Sequence, residues 1–217
     1  MQTTRTPHQP WQPQGTVYGT LLNFRREWDL WIPRMTQDPH KAAPKEPVLY
    51  VKTANTFSPA GQDLLLQDGV SEVDIGATLG LVIGGDGQVA GAVLLNDWSV
   101  LHASYYRPPV KFRCRDGFLA LPQQVTPGQV QDWAALQIAV RRNGDLVQTV
   151  DLRELMRAMP ELLADVGEFM TLQPGDVLMV GTDCLADGTR PRAKAGDRVE
   201  ISAPGFASVV TMVGGAA

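Results

Sequence analysis

The residues able to do chemistry concentrate in one stretch. Asn96-Asp97 closes an apolar run, Tyr105-Tyr106-Arg107-Pro108 follows, and Lys111, Arg113 and Arg115 alternate ahead of Asp116-Gly117-Phe118. A carboxylate at the end of a buried strand faces a cleft rather than the core, where it can hold a cation. An Asp after Asn at a strand end also makes an ordinary Asx turn. Three cations at alternate positions of an extended segment share one face. Side by side they favour an anion such as a carboxylate or phosphate, which arginine grips in a fork. The competing reading is a solvated edge strand, which uses Lys and Arg to block aggregation. His102 has no partner at ligand spacing, and it reads as structural. The chain has no Gly-x-Ser-x-Gly, phosphate loop, His-Glu-x-x-His or dinucleotide fingerprint, so the common nucleophilic and cofactor chemistries lack support.

The elements that position these residues are mostly strands. Residues 16–22 and 48–52 have strand character, and residues 79–84 form an apolar run ending at Gly84-Gly85-Asp86-Gly87, a buried strand and tight turn. No carboxylate stands between Ile75 and Gly84. Residues 90–95 make a second buried strand that delivers Asn96 and Asp97 at its end. Residues 136–140 and 146–150 flank Asn143-Gly144-Asp145, and Asn-Gly favours a type I′ hairpin. Residues 27–35 predict a short helix limited by Pro33. From Asp151, an N-cap with Glu154 three residues on, apolar residues recur at helical spacing from Leu152 to Phe169, and Pro160 should kink or divide that helix. Further strands are expected at residues 177–181, 199–201 and 207–213. Strands outnumber helices, which predicts a β-rich α+β domain with mixed or antiparallel sheet and one principal helix. Residues 1–14, with three prolines and four glutamines, read as a flexible arm, and residues 15–217 as a single domain.

Composition narrows the partners. Nineteen Lys and Arg against 23 Asp and Glu give a net charge of -4, with no electrostatic footprint for nucleic acid or a membrane surface. Cys114 and Cys184 make neither a disulfide framework nor a metal-binding spacing, and a reduced, cytoplasmic setting is the economical expectation. The first fourteen residues lack the apolar core of a signal peptide, and no apolar run approaches a membrane span.

Several motifs in fixed order resemble the fumarylacetoacetate hydrolase family. They are the run 79–84, Asn96-Asp97, Tyr105-Tyr106-Arg107-Pro108, Arg113-Cys114-Arg115-Asp116-Gly117-Phe118, the segment Glu168-Phe169-Met170-Thr171-Leu172 with Pro174-Gly175-Asp176, and Gly181-Thr182. The early strand 48–52 with Asn55-Thr56 fits as well, so the likeness extends over nearly everything from Gly15 onward. Within the family it is strongest to the N-terminal half, or separate N-terminal subunit, of a two-part member. The resemblance implies a fumarylacetoacetate hydrolase-like mixed sheet or β-roll around magnesium or another divalent metal. It also implies lyase or isomerase chemistry on a small 2-oxo or enol di- or tricarboxylate, in a homodimer or a heterodimer with a paralogous subunit. Metal chelation of the 2-oxo-carboxylate would drain electron density from the bond being broken. By the same likeness Arg113, Asp116 and Thr182 fall at catalytic positions, Lys111, Arg115, Tyr106 and Arg107 at substrate-binding ones, and Asp97 at a metal ligand.

The departures matter as much. The family's Glu-x-Glu, two metal ligands on one strand face, falls on Gly76 and Thr78. Its basic lysine falls on Arg113, which holds a carboxylate but does not readily exchange protons. Its His and Glu lid dyad falls on Glu27 and Leu30. Glu72 and Asp74 have the spacing of the missing pair but lie four residues upstream, roughly 13 Å along a strand. A metal–oxygen bond spans roughly 2.0–2.6 Å, and one carboxylate makes a poor divalent site, so metal binding is expected to be weak or absent. Three functions therefore stay open: a lyase/isomerase, a non-catalytic partner of a metal-bearing paralogue, or a metal-free binder of small dicarboxylates.

Overall fold

The computed structural model describes residues 9–38, 40–102 and 110–215. An eight-stranded sheet forms its centre. Along it run β2 (Val48–Lys52), β1 (Val17–Leu21), β13 (Val177–Met179), β6 (Ala77–Ile83), β7 (Val89–Asp97), β9 (Leu119–Ala120) and β3 (Phe57–Ser58), with β10 (Thr126–Pro127) also paired to β7. β1 pairs parallel to β13 and β3 parallel to β9, while the other neighbours are antiparallel. β2 and β3 stand at opposite edges, yet only a 3-10 turn, Ala54–Thr56, joins them after Thr53. Consecutive strands can lie at opposite edges only if the sheet curls until those edges approach. That curl is the roll expected from the sequence, and it brings the end of β2 near the end of β7.

β6 and β7 form this roll because their apolar runs are buried on both faces. Along β7, Ala92 and Leu94 point into one core with Leu79, Leu81, Trp98 and Phe118, while Val93 and Leu95 point into a second with Val17, Val177 and Met179. Period-two alternation thus assigns neighbouring residues to different cores. The β6–β7 turn closes through Gly87 N donating to the Gly84 carbonyl at 3.1 Å.

A five-stranded sheet, β12 (Asp145–Asp151), β11 (Gln137–Arg142), β15 (Arg198–Ser202), β16 (Val209–Gly214) and β4 (Leu64–Leu65), packs on the first core. Its β11–β12 hairpin turns at Asn143 and Gly144, with φ of 53° and 93°, as a type I′ turn requires. A three-stranded sheet joins β14 (Arg192–Lys194), β5 (Glu72–Asp74) and β8 (Ser99–Val100). The helices are α1 (Arg25–Met35), α2 (Val110–Arg113) and α3 (Met159–Gly167).

Four expectations change. The helix foreseen from Leu152 to Phe169 is split: Asp151 caps only a 3-10 turn, accepting from Arg153 N at 3.0 Å, and α3 begins with Pro160 in its first turn. Leu155 between them is extended, with ψ of 135°. The longest helix is instead α1, with eleven residues, which runs through Pro33 before ending at Met35. Phe169, expected on the apolar stripe, is 58% exposed because the helix has already ended. Ordered contacts also start before Gly15: Trp11 N donates to the Gln123 carbonyl at 3.1 Å and its side chain packs on the second core. Among the described residues no helix is long and apolar enough to cross a membrane.

Candidate functional site

Asp97 ends β7 with its carboxylate fully enclosed. Three side chains converge on it. Lys52 Nζ lies 2.9 Å from Oδ1, Arg113 Nη1 donates to Oδ2 at 2.5 Å, and the Tyr50 hydroxyl donates to the same Oδ2. Tyr50 and Lys52 are two apart on β2, so both point inward while Val51 between them is exposed. Tyr50 reaches the carboxylate across Gly19, where an added Cβ would lie 2.0 Å from its ring. Arg113 comes from α2, its guanidinium 4.9 Å from the Tyr50 ring centroid and its Nη1 3.2 Å from the Tyr50 hydroxyl. Lys52 also donates to the carbonyls of Arg113 and, at 2.9 Å, Phe118, which ties β2 to the turn before β9.

The electrostatics follow from this enclosure. Burial pushes the Asp97 carboxyl up, but the Lys52 and Arg113 charges and the Tyr50 hydroxyl outweigh it and hold the group below the ordinary aspartate value. Burial draws the Lys52 ammonium down, against the opposing pull of Asp97. Burial, then the Asp97 charge, raises the Tyr50 phenol well above its usual range, so its proton stays in place as a donor. Asp97 is therefore an ionised carboxylate whose two oxygens already serve an ammonium, a guanidinium and a phenol.

A second polar group sits between α1 and the segment before β14. Arg190 Nη2 donates to Glu27 Oε1 at 2.6 Å and its Nε to Thr182 Oγ1 at 3.2 Å, while Leu22 N donates to Glu27 Oε2 at 3.2 Å. Glu27 is buried at the start of α1 because this arginine and this amide satisfy it. Asn23 pins the same junction, donating to the Val180 carbonyl at 2.9 Å and accepting from Arg157 N at 2.9 Å.

The basic trio does not form the expected shared face. Residues Val110–Arg113 are a helical turn, where positions two apart point in different directions. Arg113 turns in to Asp97, Lys111 is exposed, and Arg115 donates to Gln67 Oε1 at 2.9 Å and to the Lys111 carbonyl at 3.2 Å. Asp116 is exposed and accepts from Asn55 Nδ2 at 2.7 Å, away from Asp97. Thr182 belongs to the Glu27–Arg190 group. Tyr106 and Arg107 lie outside the described residues. The sequence reading missed Lys52, Tyr50 and Arg190, and treated Glu27 only as a lost dyad position. The parity of Tyr50 and Lys52 was the available signal.

Comparison with known proteins fits this architecture. Residues 16–214 match the family description "Fumarylacetoacetate (FAA) hydrolase C-terminal". The chain belongs to the fumarylacetoacetate hydrolase family. It is 34% identical over 203 residues to the 4-hydroxyphenylacetate degradation bifunctional isomerase/decarboxylase of Escherichia coli, a match covering 89% of this chain and 46% of that protein. The chain thus spans about half the length of such a relative. Among solved structures, a 5-carboxymethyl-2-hydroxymuconate delta-isomerase from Mycobacterium smegmatis aligns with a TM-score of 0.74 at 20% identity, covering 93% of this chain and 79% of that one. A fumarylacetoacetate hydrolase family protein from Yersinia pestis CO92 aligns with a TM-score of 0.74 at 21% identity, covering 95% and 99%.

The family's divalent metal does not fit the residues present. Gly76 and Thr78 offer no carboxylate at the Glu-x-Glu positions, and a Cβ on Gly76 would stand 2.2 Å from the Asp97 carbonyl oxygen and 3.1 Å from the Thr182 methyl. Gly76 N instead donates to Asn96 Oδ1 at 2.9 Å, which fixes the backbone close against β7. Glu72 and Asp74 do not replace the pair: they lie in the small sheet, 3.0 Å and 3.7 Å from Arg192. Among the described residues no group of three or more His, Cys, Asp or Glu side chains is placed to hold a metal ion. Two cationic side chains already occupy the carboxylate that remains.

Proposed function

We propose that this chain is the metal-poor unit of a two-unit decarboxylase/isomerase, the N-terminal subunit, acting in the breakdown of 4-hydroxyphenylacetate. The reactions are decarboxylation of 5-oxopent-3-ene-1,2,5-tricarboxylate and isomerisation of 2-hydroxyhepta-2,4-dienedioate. In this reading the metal chemistry belongs to a paralogous unit carrying an intact Glu-x-Glu, with which this chain forms a cytoplasmic heterodimer. The observation that carries it is the engagement of Asp97, the remaining metal-ligand position, by Lys52, Arg113 and Tyr50. A carboxylate so engaged is poorly placed to chelate a metal or a substrate.

The test assays the purified chain with magnesium for loss of the substrate carboxylate as carbon dioxide, first alone and then mixed with such a paralogue. Turnover only in the mixture is the expected result. Turnover by the chain alone, abolished both by a chelator and by Asp97→Ala, would overturn the reading.

A further inference from the structure

The Lys52 ammonium is surrounded as a bound cation would be. Around its Nζ are three oxygens: Asp97 Oδ1 at 2.9 Å, the Phe118 carbonyl at 2.9 Å and the Arg113 carbonyl. They come from the end of β7, the turn before β9 and the end of α2, while the lysine itself arrives from β2. An ammonium has three N–H donors and no acceptor, so three oxygens satisfy it. A divalent metal matches the same set poorly, because it takes about six oxygens or more and finds here one carboxylate oxygen and two carbonyls. Charge points the same way. Arg113 Nη1 lies 2.5 Å from Asp97 Oδ2, so two positive side chains face one carboxylate and a further dication would be repelled.

Bonds that do not involve Lys52 hold these oxygens in place. Cys114 N donates to the Val110 carbonyl at 2.9 Å and Phe118 N to the Arg115 carbonyl at 3.1 Å, which shapes the turn carrying both carbonyls. That turn is tied back to β2 and the residues after it. Gly117 N donates to the Asn55 carbonyl at 3.1 Å, Asn55 Nδ2 to the Cys114 carbonyl at 3.2 Å and Cys114 Sγ to the Val51 carbonyl at 3.1 Å. Asp97 N donates to the Gly76 carbonyl at 2.8 Å, and the carboxylate also keeps Arg113 and Tyr50. The three oxygens thus stay gathered if the lysine side chain is cut back. Asp97, Arg113 and Phe118 are all buried, so losing a donor there is costly.

We infer that Lys52 is a tethered cation, seated in an oxygen cage that makes the fold of this chain independent of metal ions. With the side chain shortened to alanine, the cage takes a free primary ammonium ion in the same place, in preference to a divalent metal. The inference concerns the core of this chain and needs neither turnover nor a partner.

The test uses the full chain. Wild type dialysed into metal-free buffer should carry less than about 0.1 equivalent of magnesium, manganese or calcium, and its melting temperature should move by less than about 1 °C in EDTA or in any of these ions. Lys52→Ala should melt lower and recover by about 3 °C or more in propylammonium, which restores the atoms removed. Tetramethylammonium, with no N–H, should recover less, and Lys52→Met, which fills the space, should gain nothing from propylammonium. If Lys52→Ala does not fold alone, its refolding yield replaces the melt, and propylammonium should raise it. The inference is overturned by about one metal ion per wild-type chain, by a wild-type melt that EDTA lowers, or by Lys52→Ala that propylammonium neither stabilises nor refolds. Equal recovery in tetramethylammonium or magnesium, or equal gain by Lys52→Met, overturns it too. Turnover in the mixture without ammonium rescue would sink this inference and leave the proposed function standing. Rescue without any turnover would do the reverse.

Discussion

Replacing Lys52 by Met keeps the length and most of the volume of the side chain while deleting its charge, so it tests the buried cluster without opening a cavity. Lys52 is 2% exposed, and its ammonium serves Asp97 at 2.9 Å together with the carbonyls of Phe118 and Arg113. Removing one partner of a buried ion pair costs about 3–5 kcal/mol, because the other charge stays buried without compensation. Arg113 and Tyr50 still hold Asp97, which puts this component near the lower end, about 3 kcal/mol. The two carbonyls lose their donor, adding about 1 kcal/mol each. Lys52→Met should therefore lose about 3–5 kcal/mol, and at about 2–4 °C per kcal/mol for a chain of this size the melting temperature should fall by about 6–20 °C. Urea unfolding and thermal melts read both quantities. A double-mutant cycle with Asp97→Asn adds a sharper test, since the pair should lose about 1–3 kcal/mol less than the sum of the single changes. A loss below about 1 kcal/mol for Lys52→Met, or a coupling near zero, would refute the reading that this buried ion pair helps hold β2 against the end of β7.

Three other outcomes follow from the same geometry. Gly76→Ala should destabilise by about 1–3 kcal/mol in urea unfolding, because its Cβ meets the Asp97 carbonyl oxygen at 2.2 Å; a neutral result would mean the two backbones separate freely. Arg113→Ala should cost about 3 kcal/mol or more and Lys111→Ala less than about 0.5 kcal/mol in the same assay, and equal effects would restore the shared-face reading of the trio. Asp97 is held below the ordinary aspartate value, so its contribution is fully present above about pH 4 and is lost as pH falls through the folded value. Asp74 and Asp183, raised chiefly by burial, contribute with the opposite sign over that range, so the readout is a difference. Stability measured from about pH 5 down to about pH 2 should fall more steeply for the wild type than for Asp97→Asn, and parallel curves would count against the ion pairs.

Local chemistry explains which parts of the fold were legible. The Asn143-Gly144 turn was readable because its positive φ values are preferences of those two residues, whatever lies around them. β6 and β7 were readable because a strand buried on both faces must be apolar throughout, and Asp97 stood out as the polar end of such a run. α2 was not readable: a four-residue helical turn has no periodicity to show, so alternate cations look like a strand. The split of the late helix needed the extended backbone at Leu155, which the apolar spacing across Pro160 concealed. Arg190 was hidden for a different reason. Its partners, Glu27 and Thr182, come from distant segments, and only the assembled roll brings them together.

The strand β2 shows how the closed site can be recognised in other sequences. Toward its C-terminal end the usual pattern is inverted, with Val51 outward and Tyr50 and Lys52 inward. A lysine buried at an apolar strand's end is costly unless a carboxylate meets it, so inward parity of a lysine itself predicts a distant buried acid. Here the acid is Asp97, and the curl that joins β2 to β3 by a short turn is what lets them meet. Once the ammonium and guanidinium are seated, the site no longer needs an external cation to balance Asp97. The glycine at position 76 then fits the same arrangement, because with no side chain to accommodate, β7 can close against it. Restoring Glu at positions 76 and 78 alone would therefore add two carboxylates beside a site whose cations are already in place, and the fold would have to open before a metal could enter.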